Sequence, residues 1–363
     1  MSTTKRLYFI DAVRAFAILM MLQGHFIDTL MDVSYRDESS VIFNCWKYFR
    51  GITAPTFFTI SGLIFTYLLI KAKHKGLVNQ RIRKGITRGL MLIGIGYALR
   101  LPILQWLAGN FSNSFFVVDV LQCIGLSLIL IVLIYKILLT NTTLFSLLMV
   151  FSGTFIFITE PYYRSLDLGE IPLILSNYIS KADGSIFTII PWFGYVCYGA
   201  FLATLFYKYL ERPKFKMATI VGLLIIGMLL IHYSSWFFMQ LYFKIDFELL
   251  KDVAYFNYLF TRLGNVLVLF ALFYLVESLI KQPLILKIGQ KTLSIYIIHF
   301  IVIYGSFTGL GLNKLIGRAL IPWEAAIGAL LFIVVVCIIS FYYTRTNAYL
   351  YAKLRLIMEK IKS

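Results

Sequence analysis

An all-α integral membrane protein is the fold class this sequence predicts, on three observations. The 363 residues are 60% hydrophobic and 17% aromatic but only 14% charged, with a mean hydropathy of +0.82, too little polar surface for a soluble globule. Apolar runs of roughly 20 residues recur, the length a helix needs to cross a bilayer. The period-two alternation of a transmembrane barrel is absent, and lipid offers no water to an open backbone, so helices remain.

Ten spans follow in order, at about 8–27, 52–70, 86–107, 116–138, 143–159, 186–207, 217–238, 257–279, 293–310 and 324–343. The whole chain, 1–363, reads as one transmembrane domain with no room for a soluble one. With the amino terminus inside, the inner segments hold more than twice the Lys and Arg of the outer loops. The positive-inside rule then places both termini in the cytoplasm. The formal charge of +17 is thus mostly topology, and a nucleic-acid partner is not expected. The outer loops include DTLMDVSYRDESS after the first span and EPYYRSLDLGEIPLILSNYISKADGS between the fifth and sixth. Loops of that length often serve as lids, and IPLIL is either a re-entrant turn over a cavity or a hydrophobic loop packed on helix ends.

Cys45, Cys123, Cys197 and Cys337 show no CxxC or Cys/His spacing, so neither a disulfide framework nor a metal site is expected. The first apolar stretch reads as a retained helix rather than a signal peptide, because Asp11 and Arg14 interrupt it and it lacks a small-x-small cleavage site.

That first span, YFIDAVRAFAILMMLQGHFI, holds the residues that need explaining. Charge inside a span is costly and usually faces a protein interior or a watery path. At about 100° per residue, Asp11, Arg14 and His25 share one stripe, with about 16 Å of rise between Arg14 and His25. One face therefore carries a cation near the inner surface and an imidazole near the outer one, which suits a long ligand threaded through the bilayer. Asp28, three residues on, is placed to fix the His25 tautomer and raise its basicity, making the pair a candidate for general-base work. The bland alternative for His25 is a hydrogen-bonding structural histidine. Asp11 is placed to hold the Arg14 guanidinium.

The second inner segment, KAKHKGLVNQRIRKGITRG, concentrates Arg81, Arg83, Lys84 and Arg88. It satisfies the positive-inside rule, could bind anionic membrane lipids, or could hold the phosphates of a nucleotide-like donor. Arg100, Arg262, His232 and His299 are further ionisable groups in spans. Arg100 and Arg262 could line an outer polar chamber or neutralise carboxylates such as Asp119 or Glu160. Tyr296 and His299 share a helix face and read as channel lining or packing. Trp192, beside Pro191, reads as an interfacial aromatic.

Taken together, Asp11-x-x-Arg14 with His25, FFTISG from Phe57 to Gly62, and the basic RIRKGITRG resemble the transmembrane acyltransferase superfamily, the first two blocks its acyltransferase-three branch. VLQCIG from Val120 to Gly125 and KIGQKTLSIYIIH from Lys287 to His299 are more similar to the heparan-α-glucosaminide N-acetyltransferase branch. The likeness runs from about Arg6 to His299. It implies transfer of an acyl group, usually acetyl, from cytoplasmic acyl-CoA to a hydroxyl or amine of a carbohydrate or glycolipid across the membrane. It further implies His25 as the catalytic histidine, Arg14 in donor binding, and Arg81, Arg83, Lys84 and Arg88 as the region of the basic motif. Ser61, in FFTISG, joins Arg100, Arg262, Tyr296 and His299 as an acceptor or channel candidate. The loop from Phe26 to Tyr48 has no histidine, a departure from the heparan-type branch, whose outer loop carries one. A bacterial cytoplasmic membrane is the implied location, acetyl-CoA the implied co-substrate, and a homo-oligomer is left open. A proton-coupled transporter or lipid/glycan flippase using Asp11, Arg14 and His25 is the competing reading, but the DAVR…H pattern does not repeat in the second half, as two-fold transporter architectures would favour. A non-catalytic membrane scaffold is the third.

Overall fold

The computed structural model describes residues 7–138, 141–164 and 166–362, with side chains as far as Tyr343. Lys5, Arg6 and the side chains of the carboxy-terminal basic cluster, whose charge enters the sidedness expectation, lie outside this described set. The chain is helical throughout. α1 (Tyr8–Leu30), α2 (Val41–Gly51), α3 (Thr53–His74), α4 (Val78–Leu99) and the short α5 (Ile103–Leu107) come first, followed by α6 (Val120–Ile137), α7 (Thr142–Arg164) and the short α8 (Leu173–Ile179). Then come α9 (Ile189–Tyr209), α10 (Phe215–Ile245), α11 (Glu248–Tyr255), α12 (Tyr258–Leu275), α13 (Pro283–Gln290), α14 (Thr292–Tyr304), α15 (Leu312–Leu315) and α16 (Pro322–Lys362).

Nine of the ten expected segments each fall largely on one helix, and the tenth, 86–107, straddles α4 and α5. Eight helices are long and apolar enough to cross a membrane, and the α13/α14 pair, bent by 69°, makes a ninth if counted as one span. The protein is therefore an all-α, multi-pass membrane protein. The remaining segment, α4, begins eight residues before the expected span at 86–107. Its amino-terminal half carries Arg81, Arg83, Lys84 and Arg88, while Ile103 to Leu107, cut off by Pro102, form the separate α5. Proline there removes a backbone donor and restricts the residue before it, so the helix stops at Leu99.

Close approach of backbones holds the bundle. α3 lies along α9, α4 along α6, α7 along α9 and α10 along α12. At the first crossing, a Cβ on Gly62 would overlap the Val196 carbonyl and one on Gly199 would overlap the Thr59 carbonyl. The helices meet there without intervening side chains, the packing mode that replaces hydrophobic drive inside lipid. Gly289 in α13 is similarly pressed on the Asp11 carbonyl of α1, so the broken pair is docked on the first helix beside its charged turn. Gly305, at φ +67°, caps α14, a left-handed turn that glycine makes without strain. It ends the helix before the expected boundary at 310.

Candidate functional site

Arg14, Ile18, Met21, His25 and Asp28 occupy one face of α1, spaced alternately four and three residues apart, the signature of a helical stripe. The stripe runs along two cavities. Arg14, Ile18 and Met21 line the first, with about 880 Å³ of empty space including its mouth. Met21, His25 and Asp28 line the second, with about 700 Å³. Met21, Phe57 of α3 and Val120 of α6 border both. Three apolar side chains therefore wall both cavities, which lie next to each other along α1.

The first cavity is mostly aliphatic and aromatic, but its polar lining is concentrated in Arg14, Ser61, Arg81, Arg88, Thr292 and Tyr296. Arg14 Nη2 donates to Thr292 Oγ1 at 2.8 Å, and Nη1 lies 4.0 Å from Asp11 Oδ1, as the sequence anticipates. On α4, Arg81 and Arg88 are seven residues apart and share the face toward the cavity. Arg83 and Lys84 project to another face, where with Arg88 they line a shallow surface groove. The basic cluster is therefore split by helical periodicity, with Arg88 at the junction. The Arg81 guanidinium sits 5.7 Å over the Phe65 ring, and its buried Nε has no acceptor among the described residues. Three guanidinium groups with one nearby carboxylate leave a cationic cavity end, which suits a multiply charged anion.

At the second cavity, His25 Nδ1 and the Tyr304 hydroxyl are 2.7 Å apart. The His25 and His299 rings lie 5.3 Å apart, and Tyr296 packs edge-on to His299 at 4.9 Å. His299 is fully buried, and neither ring nitrogen has a hydrogen-bond partner among the described residues. The hydrogen-bond partner of the His25 ring is Tyr304 rather than the expected Asp28. Asp28 is drawn into an ion pair with Arg50 of α2, because a guanidinium competes better for a carboxylate than a neutral imidazole does. That pair helps to fold α2 back over the cavity, where Trp46 Nε1 donates to Gln23 Oε1 at 2.7 Å and the Tyr48 hydroxyl to Asn265 Oδ1 at 2.6 Å. In the connector between α1 and α2, Ser34 N–H and Oγ donate to Asp32 and hold its carboxyl below the usual carboxylate range.

The other expected residues divide. Ser61 and Tyr296 line the first cavity, whereas Arg100, Arg262 and His299 line neither. Arg100 neutralises Asp119 at 2.8 Å, one of the two expectations for it. Arg262 lies 5.4 Å over the Tyr258 ring and forms no ion pair among the described residues. Glu160 is taken by Arg164 at 2.6 Å and by the Tyr258 hydroxyl at 3.0 Å. His232 faces outward on α10. Trp192 is not interfacial: it is buried against Phe58, Phe187 and Tyr195. The long loop between α7 and α9 contributes its last residues, Ile186 and Phe187, to the second cavity; IPLIL itself leads into α8. Tyr304, Thr292 and Arg50 are not singled out by the sequence, since each acts only through a partner hundreds or tens of residues away.

The family model described as heparan-alpha-glucosaminide N-acetyltransferase, catalytic, matches residues 6–239. The match includes Arg14, His25, Asp28 and the basic half of α4, and stops short of Thr292, His299 and Tyr304. A comparison with curated proteins gives no match.

Proposed function

The chain belongs to the heparan-alpha-glucosaminide N-acetyltransferase catalytic family, and from that premise we propose that it moves an acyl group, acetyl first, from cytoplasmic acyl-CoA to a hydroxyl or amine of a carbohydrate or glycolipid on the other side of the membrane. In this reading all ten segments act as spans of one transmembrane domain, α4 and the bent α13/α14 pair included, with both termini cytoplasmic. A bacterial cytoplasmic membrane is the corresponding location.

The observation that carries the proposal is the α1 stripe, which joins a cavity bearing Arg14, Arg81 and Arg88 to one bearing His25. The residues fit the donor. The cations suit its phosphates, and Ser61, Thr292 and Tyr296 offer hydroxyls to the amides of an extended pantetheine arm. About 16 Å of helix rise separates Arg14 from His25, a span such an arm can cover. Asp11 holds Arg14, while Arg83 and Lys84 contribute field at the groove rather than direct contact.

In the simplest mechanism, His25 Nδ1–H donates to Tyr304 and leaves the Nε2 lone pair free. Nε2 takes the proton of the acceptor hydroxyl or amine as that atom attacks the thioester carbonyl. The C–S bond breaks, and the departing thiolate recovers the proton from the imidazolium. Asp28 keeps Arg50 and α2 over the reacting groups. Transfer through an acyl-histidine is the second chemical route.

The bent α13/α14 pair also suits a transporter, since interrupted helices often line substrate paths. Purified protein given acetyl-CoA, followed by mass analysis of membrane glycans and lipids from cells with and without the protein, separates the two. One added acyl group that disappears with His25→Ala is the expected result. Substrate passage across vesicles with no acyl product would sink the enzyme reading.

A further inference from the structure

α4 is 22 residues long but too charged to count among the apolar spans, and the charge is concentrated on its outward face. Gln80, Arg83, Lys84, Thr87, Arg88 and Met91 follow one another at spacings of three, one, three, one and three residues, which places them in one helical stripe. All six are exposed and border the surface groove, about 1010 Å³ including its open side. Arg83, Lys84 and Arg88 meet no carboxylate and make no side-chain hydrogen bond among the described residues, whereas Arg50, Arg100 and Arg164 each meet a carboxylate. Three cations and a hydroxyl thus share a face on which the fold supplies no neutralising charge.

Farther along α4 the same face turns apolar. Met91 is exposed, with Leu90 beside it, and a Cβ added at Gly94 would meet nothing within 4 Å. From Arg83 to Gly94 is about 16 Å of rise. Cations and a hydroxyl first, then open apolar surface, is the order of a glycerophospholipid, phosphate first and acyl chains after. One helix alone walls the groove, which gives a dissolved anion little enclosure. A lipid is already confined beside the helix by the bilayer and needs only the charge contact to be retained.

We propose that this face of α4 binds one anionic glycerophospholipid, its phosphate held by Arg83, Lys84 and Arg88 with Thr87 donating, and its chains lying along Met91 and Gly94. Arg88 lines the first cavity as well as the groove. In the acyl-CoA reading above, on which this second half rests, the donor's phosphates and the lipid's draw on the same guanidinium and repel each other across it. The lipid therefore weakens donor binding.

Full-length protein in neutral detergent is titrated with phosphatidylglycerol, phosphatidylcholine and glycerol 3-phosphate, and bound lipid is counted by native mass spectrometry. One phosphatidylglycerol per chain is expected, held at least about tenfold more tightly than phosphatidylcholine and not displaced by equimolar glycerol 3-phosphate. Arg83→Ala with Lys84→Ala is expected to lose that preference. Lys208→Ala with Lys216→Ala, which removes two cations flanking the α9–α10 connection, is expected to keep it. Equal binding of the two lipids, or equal losses in the two double variants, overturns the site; displacement by glycerol 3-phosphate overturns the lipid as its occupant. CoA titration then tests the sharing of Arg88. Phosphatidylglycerol is expected to weaken CoA binding about three- to tenfold in wild-type protein and less than about twofold in the Arg83/Lys84 double variant, with CoA weakening the lipid by the same factor. Unchanged CoA affinity overturns the sharing. If CoA does not bind the lipid-free protein, the acyl-CoA reading falls, while the lipid titration still decides the groove.

Discussion

His25 and Tyr304 face each other across 2.7 Å, and the pair is half of a double staple. Eleven residues earlier on α1, Arg14 bonds to Thr292, twelve residues before Tyr304 on α14. The two helices are therefore joined in step at both ends of the path, one contact at the cationic end and one at the imidazole.

Tyr304→Phe removes the only hydrogen bond that fixes the His25 ring among the described residues. Loss of one such bond to a functional group corresponds to about 1–3 kcal/mol, so acyl transfer is expected to fall roughly ten- to a hundredfold. Donor binding should be unchanged, because Tyr304 lines neither cavity. Steady-state transfer and CoA binding, measured side by side, check both halves. His25→Ala should abolish transfer and also leave CoA binding intact.

The basic cluster is expected to divide by helix face. Arg14→Ala, Arg81→Ala and Arg88→Ala should each weaken CoA binding by about tenfold or more, as expected for a charge-assisted contact. Arg83→Ala and Lys84→Ala, in the outer groove, should change it by less than about threefold, and that change should fade with added salt. Titration of CoA at low and high ionic strength is the measurement. Equal losses at all five positions would show that the donor lies in the groove instead.

The Asp28–Arg50 ion pair anchors the end of α2 over the second cavity. Arg50→Ala is expected to raise hydrogen exchange in Val41–Gly51 with little effect on α1 or α3. A charge swap, Asp28→Arg with Arg50→Asp, should restore part of the protection. Exchange read by mass spectrometry tests this independently of activity.

Gly199→Val is expected to cost roughly 1–3 kcal/mol or more, because a Cβ there overlaps the Thr59 carbonyl and backbone must move. Gly222→Ala, with nothing near its added Cβ, should be neutral or stabilising by up to about 1 kcal/mol through helix propensity. Thermal unfolding in detergent compares them.

Much of this architecture is legible in the amino-acid order, and what is not has a physical reason. The apolar runs locate every long helix, since lipid imposes one length and one backbone solution. The Asp11–Arg14–His25 stripe is visible because its residues lie on one helix, where the period alone decides which side chains share a face. The expectation for α4 treats its basic residues as one cluster, although the same period separates Arg81 and Arg88 from Arg83 and Lys84. Asp28 shows the limit of spacing arguments. Sequence spacing shows that it can reach the His25 side of α1, but not that Arg50, brought in by α2, takes the carboxylate. Tyr304 comes from a helix almost three hundred residues away and nothing local marks it among 24 tyrosines, while Thr292 lies within the KIGQKTLSIYIIH block but its contact with Arg14 is a matter of tertiary packing.

The four-three spacing of Arg14, Ile18, Met21, His25 and Asp28 makes α1 a molecular ruler. Its graduations are peptide units, so the axial separation of Arg14 and His25 is set by residue count along α1. Inserting one residue between Met21 and His25 would lengthen the scale by only about 1.5 Å but turn everything beyond it by about 100°, carrying His25 away from Tyr304. In the proposed acyl-CoA reading, a donor with a truncated arm should meet the converse problem and fall short of His25, which single-turnover transfer from shortened CoA analogues would check.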